Sequence, residues 1–214
     1  WPYGFYGALS GKPLVISLMG TYAVAPLSRF PINILLKYPY KKARALVCVS
    51  RYMASRIIAR IPEMKNKITI INPGVNLDTF AGSAVEKENY ILSVGAAKKR
   101  KGYHVSIPAF ALAKQKFPNL KYKIICGSND HWRYKLELIA KEHGVKNEVE
   151  LVGSVTDDEL AGLYRRAKLF ILTSVNDSHN FEGFGQVFLE AAAAGLPVIG
   201  TKNNGIEDAV QIGS

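Results

Sequence analysis

Eight short apolar runs rich in β-branched residues recur along the 214-residue chain, each separated from the next by a polar or helix-length stretch. They read PLVISL (13–18), ALVCVS (45–50), KITII (67–71), YILSVG (90–95), YKIICG (122–127), EVELVG (148–153), LFILTS (169–174) and PVIGT (197–201). A strand that is apolar along its whole length has both faces covered, and alternating helices supply that cover. The intervening patterns predict helices over 27–43, 51–60, 103–116, 131–143, 157–166, 184–194 and 205–210. The chain is therefore expected to be α/β, with parallel sheets and helices on both faces.

Local signals sharpen the boundaries. Thr156-Asp157-Asp158-Glu159 has the spacing of a capping box, and Ser50 precedes RYMASRII as a helix N-cap. The stretch NPGVNLDTFAGSAVEKEN (72–89) has turn chemistry without periodicity and is expected to link two α/β units. Cys48 and Cys126 lie in strand-like runs and are expected to be reduced core thiols of a cytoplasmic protein.

Charge narrows the partner. Lys plus Arg is 28 against 17 for Asp plus Glu, a net charge of +11. That excess suits phosphate esters, nucleic acid or an acidic membrane surface. No nucleic-acid motif accompanies it, so nucleic acid is not the expected partner. No apolar run reaches the ~18 residues a spanning helix needs. Residues 29–44, RFPINILLKYPYKKAR, interleave five basic residues with apolar and aromatic ones, a pattern expected of peripheral contact with an anionic inner membrane face. Pro31 and Pro39 are expected to interrupt a long helix there.

The chemistry concentrates in EGFGQVFLEAAAAGLPVIGT (182–201). Gly183 and Gly185 permit close backbone approach to a ligand. A helix starting near Phe184 aims its unpaired N–H groups and positive dipole end at that turn, which suits a diphosphate. Glu190, roughly 9 Å further along the axis, can accept from two ribose hydroxyls. Glu182 lies at the helix mouth. Taken alone, the two acids also fit a dipole-favoured loop residue and a surface residue. The Gly-Phe-Gly turn lacks the third glycine of a dinucleotide loop, since position 188 is Phe. A second candidate is AAKKRKGY (96–103), where Lys98, Lys99, Arg100 and Lys101 follow a strand directly, at the carboxyl end where open α/β sheets bind ligands. No Asp-x-Asp triplet or His/Cys cluster has metal-ligand spacing, so no metal and no further cofactor is expected.

EGFGQVFLEAAAAGLPVIGTKNNGIED resembles the donor-binding motif of the family-4 retaining glycosyltransferases of GT-B fold. SVGAAKKRKGY is similar to that family's basic loop, INPGVNLDTF to its interdomain segment, and PLVISLMGTY and ARALVCVSRYMASRI to late strands of its first domain. The resemblance implies two Rossmann-like domains, here an incomplete acceptor domain over 1–75 and most of a donor domain over 76–214. It implies a nucleotide-sugar donor, a glycan or lipid-linked acceptor and metal-independent transfer. By position, Lys101 with Arg100 would hold the diphosphate and Glu190 the ribose. Glu182, with Gly183 and Phe184, would contact the donor sugar. Gly185 and Gln186 would approach the phosphates, and the turn at Val155 and Asp157 would receive the base. His179 lies beside the motif and is a further candidate for the sugar. The chain departs from the family pattern at Ala96, Met19 and Asn204-Gly205. Those departures leave open a catalytically silent nucleotide-sugar-binding module. The first residue Trp1 and the last residues QIGS are expected to be cut ends, so that the chain is a fragment.

Overall fold

The structure, a computed structural model, describes residues 2–28, 30–83, 85–127, 130–177 and 180–210. Arg29 and the QIGS end lie outside the described residues. The chain forms two compact units.

The first unit is built from segments 1–73, 176–185 and 203–214. Its sheet holds β1 (Val15–Leu18), β2 (Ala45–Cys48) and β3 (Ile68–Ile70), all parallel, in the order β1-β2-β3. Around it run α1 (Pro2–Leu9), α2 (Thr21–Val24), α3 (Ile32–Lys42) and α4 (Arg51–Ile58). The helix α4 starts where the sequence places its cap, because the Ser50 hydroxyl accepts from Met53 N at 3.0 Å. It buries Met53, Ala54 and Ile57 on one side. Full burial of a side chain such as Ile57 contributes roughly 1.5–3 kcal/mol.

The predicted helix over 27–43 is two pieces, a 3₁₀ turn over Ala25–Ser28 and α3. Pro31 stands at the N-cap of α3, where its missing N–H is no loss. Pro39, expected to break the helix, is carried inside it and buried. Its missing N–H forfeits one ladder bond, to Leu35 O, and its own carbonyl accepts from Ala43 N at 2.8 Å.

The second unit is built from segments 74–175 and 186–202. The turn-rich stretch after β3 contains one short helix, α5 (Leu77–Phe80), capped by Asn76. Then follow β4 (Tyr90–Val94), α6 (Tyr103–Lys116), β5 (Lys121–Ile125), α7 (Asp130–Glu142), β6 (Val149–Val152), α8 (Asp157–Arg166), β7 (Leu169–Leu172), α9 (Gln186–Ala193) and β8 (Val198–Gly200). All five strands are parallel, in the order β6-β5-β4-β7-β8. The chain builds outward from β4 in one direction, then returns to build in the other. Between β4 and β7 the direction reverses, and ligands of open α/β sheets bind outside the carboxyl ends of the strands at such a switch point.

A buried polar network ties the centre of this sheet together. The Tyr122 hydroxyl lies 2.7 Å from Ser93 Oγ and 2.8 Å from Ser106 Oγ, and Ser93 Oγ donates to Ile171 O. Burial pushes the Tyr122 phenol up to about 12. On the outer strands, Arg133 from α7 donates to Gly127 O (3.2 Å), Leu151 O (2.8 Å) and Val152 O (3.4 Å), joining the carboxyl ends of β5 and β6. Cys48 and Cys126 are buried and free.

Two further differences from the sequence expectation are local. The helix expected near Phe184 begins two residues later, at Gln186, since Gly185 has a φ of 85° and turns the chain first. The segment 205–210 forms only a 3₁₀ turn over Gly205–Asp208, with Asn204 capping it through a bond from Ile206 N at 2.9 Å. The two units are discontinuous in sequence, with segments 176–185 and 203–214 grouped with 1–73.

Candidate functional site

In the second unit, the loop from β4 to α6 is shaped by two glycines. Gly95 has a φ of 151°, and a Cβ there would lie 2.9 Å from Lys101 Cε. The lysine stem thus runs across a position that must lack a side chain. The Tyr103 hydroxyl donates to Gly95 O at 2.6 Å. Lys99–Lys101 form a 3₁₀ turn that Gly102 ends in the left-handed region, with a φ of 72°. Lys101 is buried, Arg100 is half-buried, and Lys98, Lys99 and Ala96 are exposed. Two bonds fix this loop against the chain leaving β7. Thr173 Oγ1 donates to Gly102 O at 2.7 Å, and Val175 N donates to Arg100 O at 2.9 Å. A buried lysine therefore stands at the switch point, on a loop braced from the neighbouring strand.

Glu190, the fifth residue of α9, is half-buried. Tyr164 of α8 donates its hydroxyl to Glu190 Oε2 at 3.0 Å. Burial pushes the Glu190 carboxyl up, the Tyr164 hydrogen bond pulls it down, the Asp157 charge raises it and the Lys101 charge lowers it. Those interactions join Glu190, Lys101 and Asp157 electrically in one unit. Asp157 is the first residue of α8, exposed, directly after the cap Thr156. The capping box is complete: Thr156 Oγ1 accepts from Glu159 N at 3.3 Å, and Glu159 Oε2 accepts from Thr156 N at 2.8 Å. Val155 is half-buried in the turn after β6. Gln186 is exposed, and its Nε2 donates to Gly74 O at 3.3 Å.

The other candidates lie in the first unit. Glu182, Gly183, Phe184 and Gly185 are all buried. Their turn is held by its carbonyls: Glu182 O accepts from Gly205 N at 2.9 Å, and Gly183 O accepts from Ser50 Oγ at 2.6 Å. A Cβ on Gly183 would come within 3.3 Å of Gly20 Cα and Met19 O. A Cβ on Gly205 would come within 2.0 Å of Gly183 O. Just before the turn, Thr21 Oγ1 donates to Phe181 O and accepts from Phe181 N, both at 3.2 Å. Asp208 accepts from Arg51 N at 2.7 Å and Arg51 Nε at 3.0 Å. His179 lies outside the described residues. Among the described residues, no group of three or more His, Cys, Asp or Glu side chains is placed to hold a metal ion.

Tyr164, Thr173 and Ser50 take part in these contacts although the sequence alone does not mark them for it. Tyr164 and Thr173 carry no local signal. Ser50 was legible as a helix cap, but its bond to Gly183, 133 residues away, was not.

Residues 76–214, more than half of the chain, match the family model of the glycosyl transferases, group 1. The chain belongs to the group 1 glycosyl transferases. Residues 1–79 match the model of glycosyltransferase family 4. This glycosyltransferase chain is 29% identical to a D-inositol 3-phosphate glycosyltransferase of Corynebacterium urealyticum over 70% of its own length and 38% of that protein's. It is 27% identical to an uncharacterized glycosyltransferase of Methanocaldococcus jannaschii over 98% of its own length and 56% of that one's. It spans roughly two fifths to somewhat over half of these curated relatives. The solved structure of Anabaena Alr3699/HepE in complex with UDP and glucose matches with a TM-score of 0.80 at 19% identity, over 99% of this chain and 60% of that one. The likeness bears out the α/β, GT-B-type fold with Rossmann-like parallel sheets.

Proposed function

We propose that this chain supplies the donor-binding machinery of a retaining glycosyltransferase that takes a sugar from a nucleoside-diphosphate sugar. The observation that carries this reading is the buried Lys101 at the switch point of the second unit, on a loop braced against the chain leaving β7 by the Thr173–Gly102 bond. The solved complexes of Alr3699/HepE with UDP and UDP-glucose support a ligand of that class. Lys101, with Arg100, faces the diphosphate. The N-terminal end of α9, at Gly185 and Gln186, adds backbone dipoles to the same charge. Glu190 accepts from the ribose hydroxyls, and the turn at Val155 and Asp157 receives the base. Glu182, with Gly183 and Phe184, contacts the donor sugar. When the bond between the anomeric carbon and the diphosphate oxygen breaks, negative charge grows on the leaving diphosphate. Fixed cationic groups that meet it there stabilise the transition state more than the ground state, without a metal. The acceptor is a glycan or a lipid-linked sugar. Met19 and Ala96, both exposed at positions where the family pattern has His and Arg, favour a second reading, a binding module without transfer. Donor hydrolysis by the full-length protein separates the two.

Isothermal titration with UDP, GDP, ADP and CDP tests donor binding. Glu190→Ala should weaken binding of the favoured diphosphate by about 1.5–3 kcal/mol, the range for hydrogen bonds to a charged group. Wild-type affinity in a folded Glu190→Ala protein sinks the ribose assignment.

An anionic membrane surface is the second proposed partner. The first 62 residues hold nine Lys or Arg and no Asp or Glu. Helix α3 exposes Ile34, Leu35 and Tyr38 beside Lys37, Lys41 and Lys42. No helix among the described residues is long and apolar enough to cross a membrane. The protein is expected to co-sediment with vesicles rich in phosphatidylserine at low salt and to be released at high salt, because surface attraction is screened within a Debye length. Equal sedimentation after Lys37, Lys41 and Lys42 are replaced by serine would remove α3 as the contact.

A further inference from the structure

The α9 sequence, QVFLEAAA, has one titratable side chain, Glu190. The helix buries Phe188 and Ala191 and leaves Glu190 half-buried. A lone carboxylate on such a helix has several rotamers. Here one oxygen is engaged, by a tyrosine that is itself fully buried. The Tyr164 ring packs edge-on to Phe80 at 5.8 Å and tilted to Phe170 at 5.7 Å. These contacts fix the ring, and with it the direction of the hydroxyl. Two acceptors lie within reach, Glu190 Oε2 at 3.0 Å and Val187 O at 3.4 Å. The hydroxyl has one hydrogen, and the nearer, charged acceptor takes it. A phenylalanine would fill the same apolar space without burying a hydroxyl.

Resting on the ribose reading of Glu190 above, we propose that Tyr164 is a positioning residue: its buried hydroxyl fixes the orientation of the Glu190 carboxylate and thereby sets a preference for ribonucleoside over 2′-deoxyribonucleoside diphosphates. The charged and titratable groups that bear on Glu190 are Tyr164 and Asp157 from α8 and Lys101 from the loop after β4, with Tyr103 acting on Tyr164. Of these, Tyr164 and Lys101 favour the ionised carboxylate, while burial and Asp157 oppose it. Loss of the Tyr164 bond therefore raises the pH at which Glu190 takes up a proton. A protonated carboxyl accepts fewer hydrogen bonds, so ribose binding fails from a higher pH in the variant.

The test is isothermal titration of the chain with UDP, GDP, 2′-deoxy-UDP and 2′-deoxy-GDP, at neutral pH and about one unit lower, on wild type, Tyr164→Phe and Glu190→Ala. Tyr164→Phe is expected to weaken the ribonucleoside diphosphate about fivefold or more, a fraction of the tenfold and larger loss that follows from deleting a hydrogen bond to charge. The 2′-deoxy ligand, which keeps only the 3′-hydroxyl for Glu190, should lose less, so the ribo-to-deoxy ratio falls, and the ribonucleotide deficit should grow at the lower pH. If Glu190→Ala abolishes the ribo-to-deoxy ratio while Tyr164→Phe keeps it, Glu190 reads the ribose unaided and the Tyr164 proposal is overturned. If Glu190→Ala also keeps the ratio, the ribose reading of Glu190 is what fails. A ligand-free measurement stands beside these: the Glu190 carboxyl midpoint, followed by carbon-13 NMR, must rise in Tyr164→Phe. An unchanged midpoint overturns the proposal whatever the nucleotide affinities are.

Discussion

Replacing Gly102 by alanine should lower stability by about 4 kcal/mol, the sum of two independent penalties. Its φ of 72° lies in the left-handed region, which costs an L-residue about 1–2 kcal/mol. The added Cβ would also sit 1.7 Å from Thr173 O and 2.5 Å from Thr173 C, both backbone atoms. Overpacking of that kind costs about 1–3 kcal/mol, and backbone that is pinned on both sides yields least. Thr173 Oγ1 is bonded to Gly102 O, so separating the two loops also breaks the brace that holds the switch point. For a chain of this size the melting temperature should fall by roughly 8–16 °C. Gly144→Ala isolates the first penalty: Gly144 has a φ of 70° and nothing within 4 Å of the built Cβ. That variant should lose only about 1–2 kcal/mol. Thermal unfolding of both variants beside the wild type reads the difference directly. Equal melting temperatures would mean that the β4 and β7 loops are not held against each other as described.

The pairing of those loops shows what a sequence discloses and what it withholds. All eight strands lie where apolar β-branched runs predict them, with ends shifted by at most two residues, because full burial leaves a local signature. Helices α6 and α8 match their expected ranges, 103–116 and 157–166. The first has a glycine stop before it and the second a capping box, and both signals are local. Helix α1, PYGFYGAL, was not legible: it is apolar throughout, carries two glycines and a proline, and has no polar face to set a period. Pro39 is carried inside α3 although its missing N–H forfeits a ladder bond. Lys101 and Glu190 of the second unit and the glycine turn of the first stand out in the sequence as candidates, from charge and glycine spacing. Tyr164 was not, since its bond to Glu190 joins residues 26 apart and depends on α8 lying against α9. Ser50 is intermediate, visible as a cap while its second bond depends on the tertiary fold. Chemistry was readable where one stretch of chain carries it and hidden where a second element has to be brought up to complete it.

Lys101→Ala should produce the largest loss in ligand binding, and the loss should depend on phosphate. Lys101 is 8% exposed, its stem lies across Gly95, and its charge bears on Glu190. A cation in so dry a position meets a diphosphate with little solvent screening. Truncating one partner of a buried charged contact costs about 2–5 kcal/mol, against about 1 kcal/mol or less at an exposed site. Lys98 and Lys99 lie on the same loop but are exposed. They serve as the internal control, because the same charge change there should cost only that smaller amount. Titration of Lys101→Ala, Lys98→Ala and Lys99→Ala with UDP and with uridine, or with the nucleoside and diphosphate of whichever base binds best, separates the possibilities. The expected result is a loss of about 30-fold or more for the diphosphate in Lys101→Ala, the factor that corresponds to 2 kcal/mol. The nucleoside should bind almost unchanged, and the two exposed-lysine variants should bind both ligands nearly as wild type. Equal losses for nucleoside and diphosphate would make Lys101 a structural residue of the β4–α6 loop. A larger effect at Lys98 or Lys99 would move the phosphate to the outer rim of that loop and away from the switch point.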